Sequence, residues 1–214
     1  MLLKQAFAPL VDLIYPPRCP LCGDAIAAQD GLCTECWSTL EIPADLPGKS
    51  PVTAVTIYND SARQLVLNFK HGGKIALARM MARQINARLG VLQGNWLAVP
   101  VPLHRLRLWH RGFNQSALIA RELAQLSGAR LLVDGLLRPK RTPSLGGLGR
   151  KERAAVLKGA ITANPRRDNQ IRGAQVLLVD DVLTSGATTN ACIAALDKAG
   201  VARVHVACFA RVPA

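Results

Sequence analysis

Val176-Leu177-Leu178-Val179-Asp180-Asp181-Val182-Leu183-Thr184-Ser185-Gly186-Ala187-Thr188-Thr189 is the stretch that decides how this chain is read. The apolar run from Gln175 to Val179 fits a parallel strand covered on both faces. Asp180 and Asp181 are expected at its carboxyl end, where open α/β sheets bind their ligands. Two adjacent carboxylates accept hydrogen bonds from a vicinal diol and help to hold the hard cation that accompanies a pyrophosphate. Thr184, Ser185, Gly186, Ala187 and Thr188 then place hydroxyls and approachable backbone N–H groups at the start of a helix. Unpaired donors and the helix dipole favour an anion there, and Gly186 permits a tight approach. The run describes a cradle for a ribose carrying a phosphate.

Two other readings fit part of it. A hydrophobic strand ending in two acids also looks like a Walker B segment, but no G-x-x-x-x-G-K-[ST] loop occurs in the chain, which excludes that kind of ATPase. A buried strand followed by a solvated acidic turn accounts for the acids, but not for the small, hydroxyl-rich loop after them.

At 214 residues, half of them apolar, the chain is long enough for one well-buried α/β domain with a small appendage. Met1 to Ile14 is interrupted by Lys4, Gln5 and Asp12, so it is read as an amphipathic helix, not a membrane span or a signal peptide. A cytoplasmic location is expected. Charge is uneven: Met1 to Ser50 hold three basic and six acidic residues, and the remainder twenty-four basic and eight acidic. So cationic a domain attracts polyanions, either a pyrophosphate-bearing metabolite or nucleic acid. Composition does not choose between them.

Four of the six cysteines form Cys19-Pro-Leu-Cys22-Gly and Cys33-Thr-Glu-Cys36. Two Cys-x-x-Cys knuckles present four thiolates tetrahedrally to one zinc ion, with Gly23 easing the turn. A disulfide pair is the alternative, disfavoured in a reducing compartment. Four protein ligands leave no open position, so the zinc is read as structural. Cys192 and Cys208 are expected in the core.

Pro43 to Pro51 reads as a linker, dividing a zinc module (1–50) from a larger domain (51–214). Strands are predicted over Thr53–Tyr58, Trp96–Val101 and Arg203–Ala210. Helices are predicted over Ser61–Lys70, Lys74–Leu89, Asn114–Leu126 and Thr188–Ala199, the last two closed by Gly128 and Gly200. Between strand and helix, Val99 to Gln115 gathers Arg105, Arg107 and Arg111 with His104 and His110 and no acid. It is read as a basic turn. Arginine suits pyrophosphate because its planar fork bonds two oxygens at once, but arginine clusters also simply face water.

The Asp180–Thr188 segment resembles the PRPP-binding motif of type I phosphoribosyltransferases, in which the acids take the ribose hydroxyls and the loop takes the 5′-phosphate. With the double Cys-x-x-Cys module and Arg-Gly-Phe-Asn-Gln entering a helix, the order of motifs resembles the ComF family. That resemblance implies a parallel-sheet phosphoribosyltransferase fold with a small N-terminal zinc module. It further implies PRPP and magnesium as ligands, a link to DNA uptake in bacterial competence, and single-stranded DNA and DNA-translocation proteins as partners. Lys70 and Gly72, in Asn68-Phe69-Lys70-His71-Gly72-Gly73, resemble that family's Lys-Phe or Phe-Lys turn. Arg138, Arg141 and Arg153 match by position in a basic, glycine-containing stretch suited to a lid. Leu145 and Val156 depart from the glutamine and asparagine common in relatives.

If the chain is a pentosyltransferase, Arg105, Arg107 and Arg111 would stabilise departing pyrophosphate while Asp180 and Asp181 hold the sugar. Three functions remain open on the sequence: a PRPP-binding protein of DNA uptake or single-stranded DNA processing, a metabolic phosphoribosyltransferase of nucleotide metabolism, and a non-catalytic PRPP sensor. Aromatic residues make up 4% of the chain, few for a protein that stacks bases.

Overall fold

The computed structural model describes residues 16–28, 31–44, 51–71, 76–140, 152, 156 and 159–213. In chain order they form α1 (Thr34–Ser38), β1 (Val52–Ile57), α2 (Asp60–His71), α3 (Leu77–Leu89), β2 (Trp96–Pro100), α4 (Arg105–Arg111) and α5 (Gln115–Ser127). There follow β3 (Arg130–Leu131), β4 (Leu136–Leu137), β5 (Thr162–Ala163), α6 (Asp168–Ile171), β6 (Gln175–Leu183), α7 (Ala187–Lys198) and β7 (Arg203–Arg211). The expected helix over Met1–Ile14, the middle of the linker, Gly72 and the start expected for the helix at Lys74 lie outside the described residues.

Five strands form one parallel sheet in the order β1-β7-β6-β2-β3. β6 is central, and its apolar run is continuous because both its faces are covered. Leu177 and Val179 join a core with Phe69, Met81, Ile85, Ile119, Leu123 and Phe209, built on α2, α3 and α5. Val176 and Leu178 face the other way, onto Cys192 and Leu196 of α7 and Val206 of β7. Cys192 and Cys208 are fully buried, as expected of packed thiols, and burial first and Asp180 second push the Cys208 thiol up to about 12.

Local chemistry sets the helix ends near the site. Asn114 caps α5, its Oδ1 accepting from Ser116 N–H, and its Nδ2 donates to Val101 O at 3.0 Å, tying the helix to the end of β2. Gly128 closes the helix in the left-handed conformation at φ 75°. The zinc module packs on the same side of the sheet. Leu21, Leu32 and Trp37 lie against the α2–α3 core, Asn68 of α2 donates to Pro20 O at 3.0 Å, and Ile57 N–H donates to Glu41 O at 2.7 Å.

Two expectations change. The strand predicted to end at Val179 runs on to Leu183, because β7 continues beside it and pairs Val182 with Ala210 and Leu183 with Arg211. The acids are therefore strand residues. The segment read as a basic turn is the helix α4: His104 Nδ1 accepts from Leu106 N–H at its start, and Gly112 closes it at φ 78° with its N–H on Leu108 O.

Phe209 is completely buried in β7. Phe209→Ala is expected to cost about 3–5 kcal/mol through lost burial and the cavity left behind, read as a fall in the urea midpoint without a change of slope.

Candidate functional site

The site begins where β2 stops. Its last ladder contact to β6 pairs Pro100 with Val179, and Val101 N–H still donates to Val179 O at 2.9 Å. Beyond that point, among the described residues, β6 keeps a strand neighbour only on its β7 side, which opens a notch beside Asp180 and Asp181. The Asp181 N–H is taken by Asp180 Oδ1 at 2.9 Å, and the Val182 N–H by Asp181 Oδ1 at 2.8 Å.

Two further side chains converge there. Ser116, in the first turn of α5, donates its hydroxyl to Asp180 Oδ1 at 2.9 Å. Lys70, in the last turn of α2, places Nζ 2.7 Å from Asp181 Oδ2, with the lysine side chain 26% and the carboxylate 10% exposed. This is a contact of opposite charges outside hydrogen-bond geometry, since no hydrogen bond satisfies that oxygen. Neither Ser116 nor the Lys70–Asp181 contact was legible in the sequence. The signals present were a serine two residues after a helix cap and the Lys70 turn.

Burial, then repulsion from Asp181, raises the Asp180 carboxyl to about 7, against the lowering effect of Ser116, the Asp181 N–H and Lys70. Asp180 therefore holds its proton to a higher pH than an ordinary carboxyl. A diol donating to it favours the carboxylate, so ligand binding and loss of that proton act together.

The loop that follows makes a second pole. Thr184 is exposed, and Ser185, Gly186, Ala187 and Thr188 are half-buried. α7 begins at Ala187 with Gly186 as its cap at φ 74°, and no side chain caps it. Its first-turn N–H groups face the loop as anion donors. Gly186 is required for its dihedral and not for space, since an added Cβ would come no nearer than 3.6 Å to Asn190. An open apolar groove of about 910 Å³ lies beyond the loop, between α7 and the β1–β7 edge, and neither acid lines it.

The three arginines divide. Arg107 and Arg111 are half-buried, while Arg105 is exposed, which the helical turn explains, since positions 105 and 107 point to nearly opposite sides. Arg111 donates to Gln115 Oε1 at 3.0 Å. Arg138, read as part of a lid, instead follows β4 as a buried residue, 7% exposed. Burial and then the Arg107 charge lower its pKa. Arg141, Leu145 and Arg153 lie outside the described residues, and Val156 is half-buried.

In the N-terminal module, Cys19, Cys22, Cys33 and Cys36 bring their sulfurs within 4.8 Å of one another. Tetrahedral zinc with bonds of ~2.3 Å needs sulfurs about 3.8 Å apart, and Cys22 and Cys33 stand 3.6 Å apart. Gly23 turns the first knuckle at φ 84°, and Cys33 Sγ accepts from Cys36 N–H in the second. Burial raises the Cys19 thiol, but N–H groups of Cys22, Cys33 and Leu21 outweigh it and bring it to about 6. Burial and the contact with Cys33 push Cys36 up to about 11. One sulfur is ready as a thiolate and a neighbour resists becoming one, the conflict that a divalent cation among four thiolates removes. The donor set fits structural zinc.

Elemental analysis is expected to find one zinc per chain and none in Cys19→Ser/Cys36→Ser, with a lower melting temperature in that variant. For Asp180, the carboxyl is held protonated further in the folded chain than in the unfolded one. Its ionisation therefore works against the fold, beginning above the ordinary value of about 3.9 and complete above about 7. Asp180→Asn is expected to raise the melting temperature at pH 8 and to leave it nearly unchanged at pH 4.

The sequence matches the double zinc ribbon domain over residues 10–47 and the phosphoribosyl transferase domain over residues 146–214. The first of these segments holds the four clustered cysteines, enough for one four-thiol site. Competence protein F of Haemophilus influenzae is 28% identical, over 91% of this chain and 85% of that protein. Competence protein ComFC of Bacillus subtilis is 26% identical, over 80% and 68%. The DNA utilization protein YhgH of Salmonella typhimurium is 30% identical over 207 residues, 90% of this chain and 89% of that one. Likeness of that extent, carried through both the zinc module and the sheet domain, shows that the chain belongs to the ComF family.

Proposed function

We propose that this chain binds PRPP at the carboxyl end of β6 and serves DNA uptake, handling single-stranded DNA beside the DNA-translocation machinery. The observation that carries the reading is the pairing of two poles along one strand-turn-helix unit. Asp180 and Asp181 lie side by side in a notch, and an uncapped helix start follows within six residues. A ribose diol suits the first pole and a 5′-phosphate the second.

The 1-pyrophosphate then faces the inner side of α4. The Arg107 charge disfavours that of buried Arg138, and an anion arriving there would relieve that repulsion. Arg111, held by Gln115, adds a third guanidinium. Magnesium arriving with PRPP would supply further neutralisation of the pyrophosphate. Lys70 holds Asp181 until the diol arrives, and the lysine is then available to the incoming anion. Were pyrophosphate to leave C1, the cationic ribose would stay beside Asp180 and Asp181 while the anion met Arg107, Arg111 and Arg138.

PRPP with magnesium is expected to raise the melting temperature of the wild-type chain, more strongly at pH 8 than at pH 6 because Asp180 must lose its proton. Asp180→Asn/Asp181→Asn is expected to abolish the shift. A shift that survives in the double variant would place the ligand elsewhere.

A further inference from the structure

The helix α4 is amphipathic in the reverse of the usual sense. Its inward positions are Arg107 and Arg111, while Leu106, Leu108 and Trp109 point outward at 43%, 41% and 80% exposure. Arg105 is exposed on the same outer side, between Leu108 and Trp109 on the helical wheel. The His110 ring lies edge-on to Trp109 at 5.1 Å. The other two tryptophans are used by the fold, Trp96 buried in β2 and Trp37 packed against the core beside the zinc module. Burial in the core leads a protein to place leucine and tryptophan inside and arginine outside, and α4 does the opposite.

Charge and area together identify the occupant. The outer face of α4 carries Arg105 and His110 and no acid, in a chain of net charge +13, so the partner is anionic. One exposed indole and two half-exposed leucines fall far short of the ~800 Å² per partner of a stable protein interface. They match the flat face of one or two nucleobases, and Arg105, next to Trp109 on the same face, offers its charge to the backbone phosphate of a stacked nucleotide. We infer that the outer face of α4 is a base-stacking platform for single-stranded nucleic acid, with Trp109 as the stacking ring and Arg105 as the phosphate contact. This rests on the single-stranded DNA part of the reading above and is independent of PRPP.

The test is fluorescence anisotropy with a labelled oligothymidylate of about twelve nucleotides, within the usual site size of such proteins, and an abasic strand of the same length. Trp109→Ala is expected to weaken oligothymidylate binding about tenfold, the scale of one lost stacked base. Trp109→Phe is expected to keep most of the affinity, and the abasic strand to bind wild type and Trp109→Ala alike. Arg105→Gln is expected to lower the slope of log affinity against log salt by about one. Equal oligothymidylate binding by wild type and Trp109→Ala overturns the inference, as does an equal loss on the abasic strand. Loss of binding only to phosphatidylglycerol vesicles would assign the face to a membrane and overturn it too. Trp109→Ala is expected to keep the wild-type PRPP shift. Absence of that shift in the wild type, with Trp109-dependent DNA binding intact, overturns the PRPP site alone.

Discussion

Two carboxylates on consecutive residues of a buried strand repel each other and lose most of their hydration, and the surroundings of Asp180 and Asp181 answer that constraint one group at a time. β2 ends at Pro100, so the acids meet a notch instead of a neighbouring strand. Asp180 accepts from the Asp181 N–H and from Ser116, and Asp181 lies against Lys70. The compensation is incomplete, because Asp180 still sits near pH 7 instead of in the ordinary carboxylate range. A site stabilised fully by its own protein would have nothing left to offer a diol. The residual strain is of the kind that a bound donor would relieve, in the familiar opposition between stability and function.

How much of this could be read from the sequence depended on whether the signal was local. The apolar run of β6, the closing Gly128 and the paired Cys-x-x-Cys knuckles each depend on a few adjacent residues, and each lies where expected. The far end of β6 was set by β7 instead, whose residues up to Arg211 hold Val182 and Leu183 in the ladder. Lys70 reaches Asp181 across 111 residues of chain, and Ser116 reaches Asp180 across 64. No spacing rule reports such contacts. Arginine in a glycine-containing stretch normally means surface, whereas Arg138 follows β4 into the interior and is 7% exposed.

The helix α4 shows a subtler failure of pattern. Arg-Leu-Arg-Leu alternates with period two, the pattern of a half-buried strand, and wound into a helix it sends residues in all directions. In the resulting arrangement Arg107 and Arg111 are half-buried, Arg111 donating to Gln115 at the start of α5, and the apolar residues are left outside. The 4% aromatic content argued against base stacking. Composition counts rings without saying where they stand: Trp96 is buried in β2, while Trp109 is 80% exposed on α4.

The zinc module connects to the same constraint through α2. Cys19 and Cys22 bracket Pro20, whose carbonyl accepts from Asn68, and Asn68 stands two residues before Lys70. Closing four thiolates around a metal fixes the knuckle that presents Pro20. Phe69, between Asn68 and Lys70, is fully buried in the sheet core and lies 6.1 Å from the Phe113 ring, just before α5. The last turn of α2 is thus held on one side by the metal knuckle, on another by the core, and at its tip by Asp181. A module that looks like an appendage in sequence therefore contacts the element that supplies the cation to the carboxylate pair. Its metal stabilises the local fold and, through one hydrogen bond and one helical turn, helps to set where Lys70 stands.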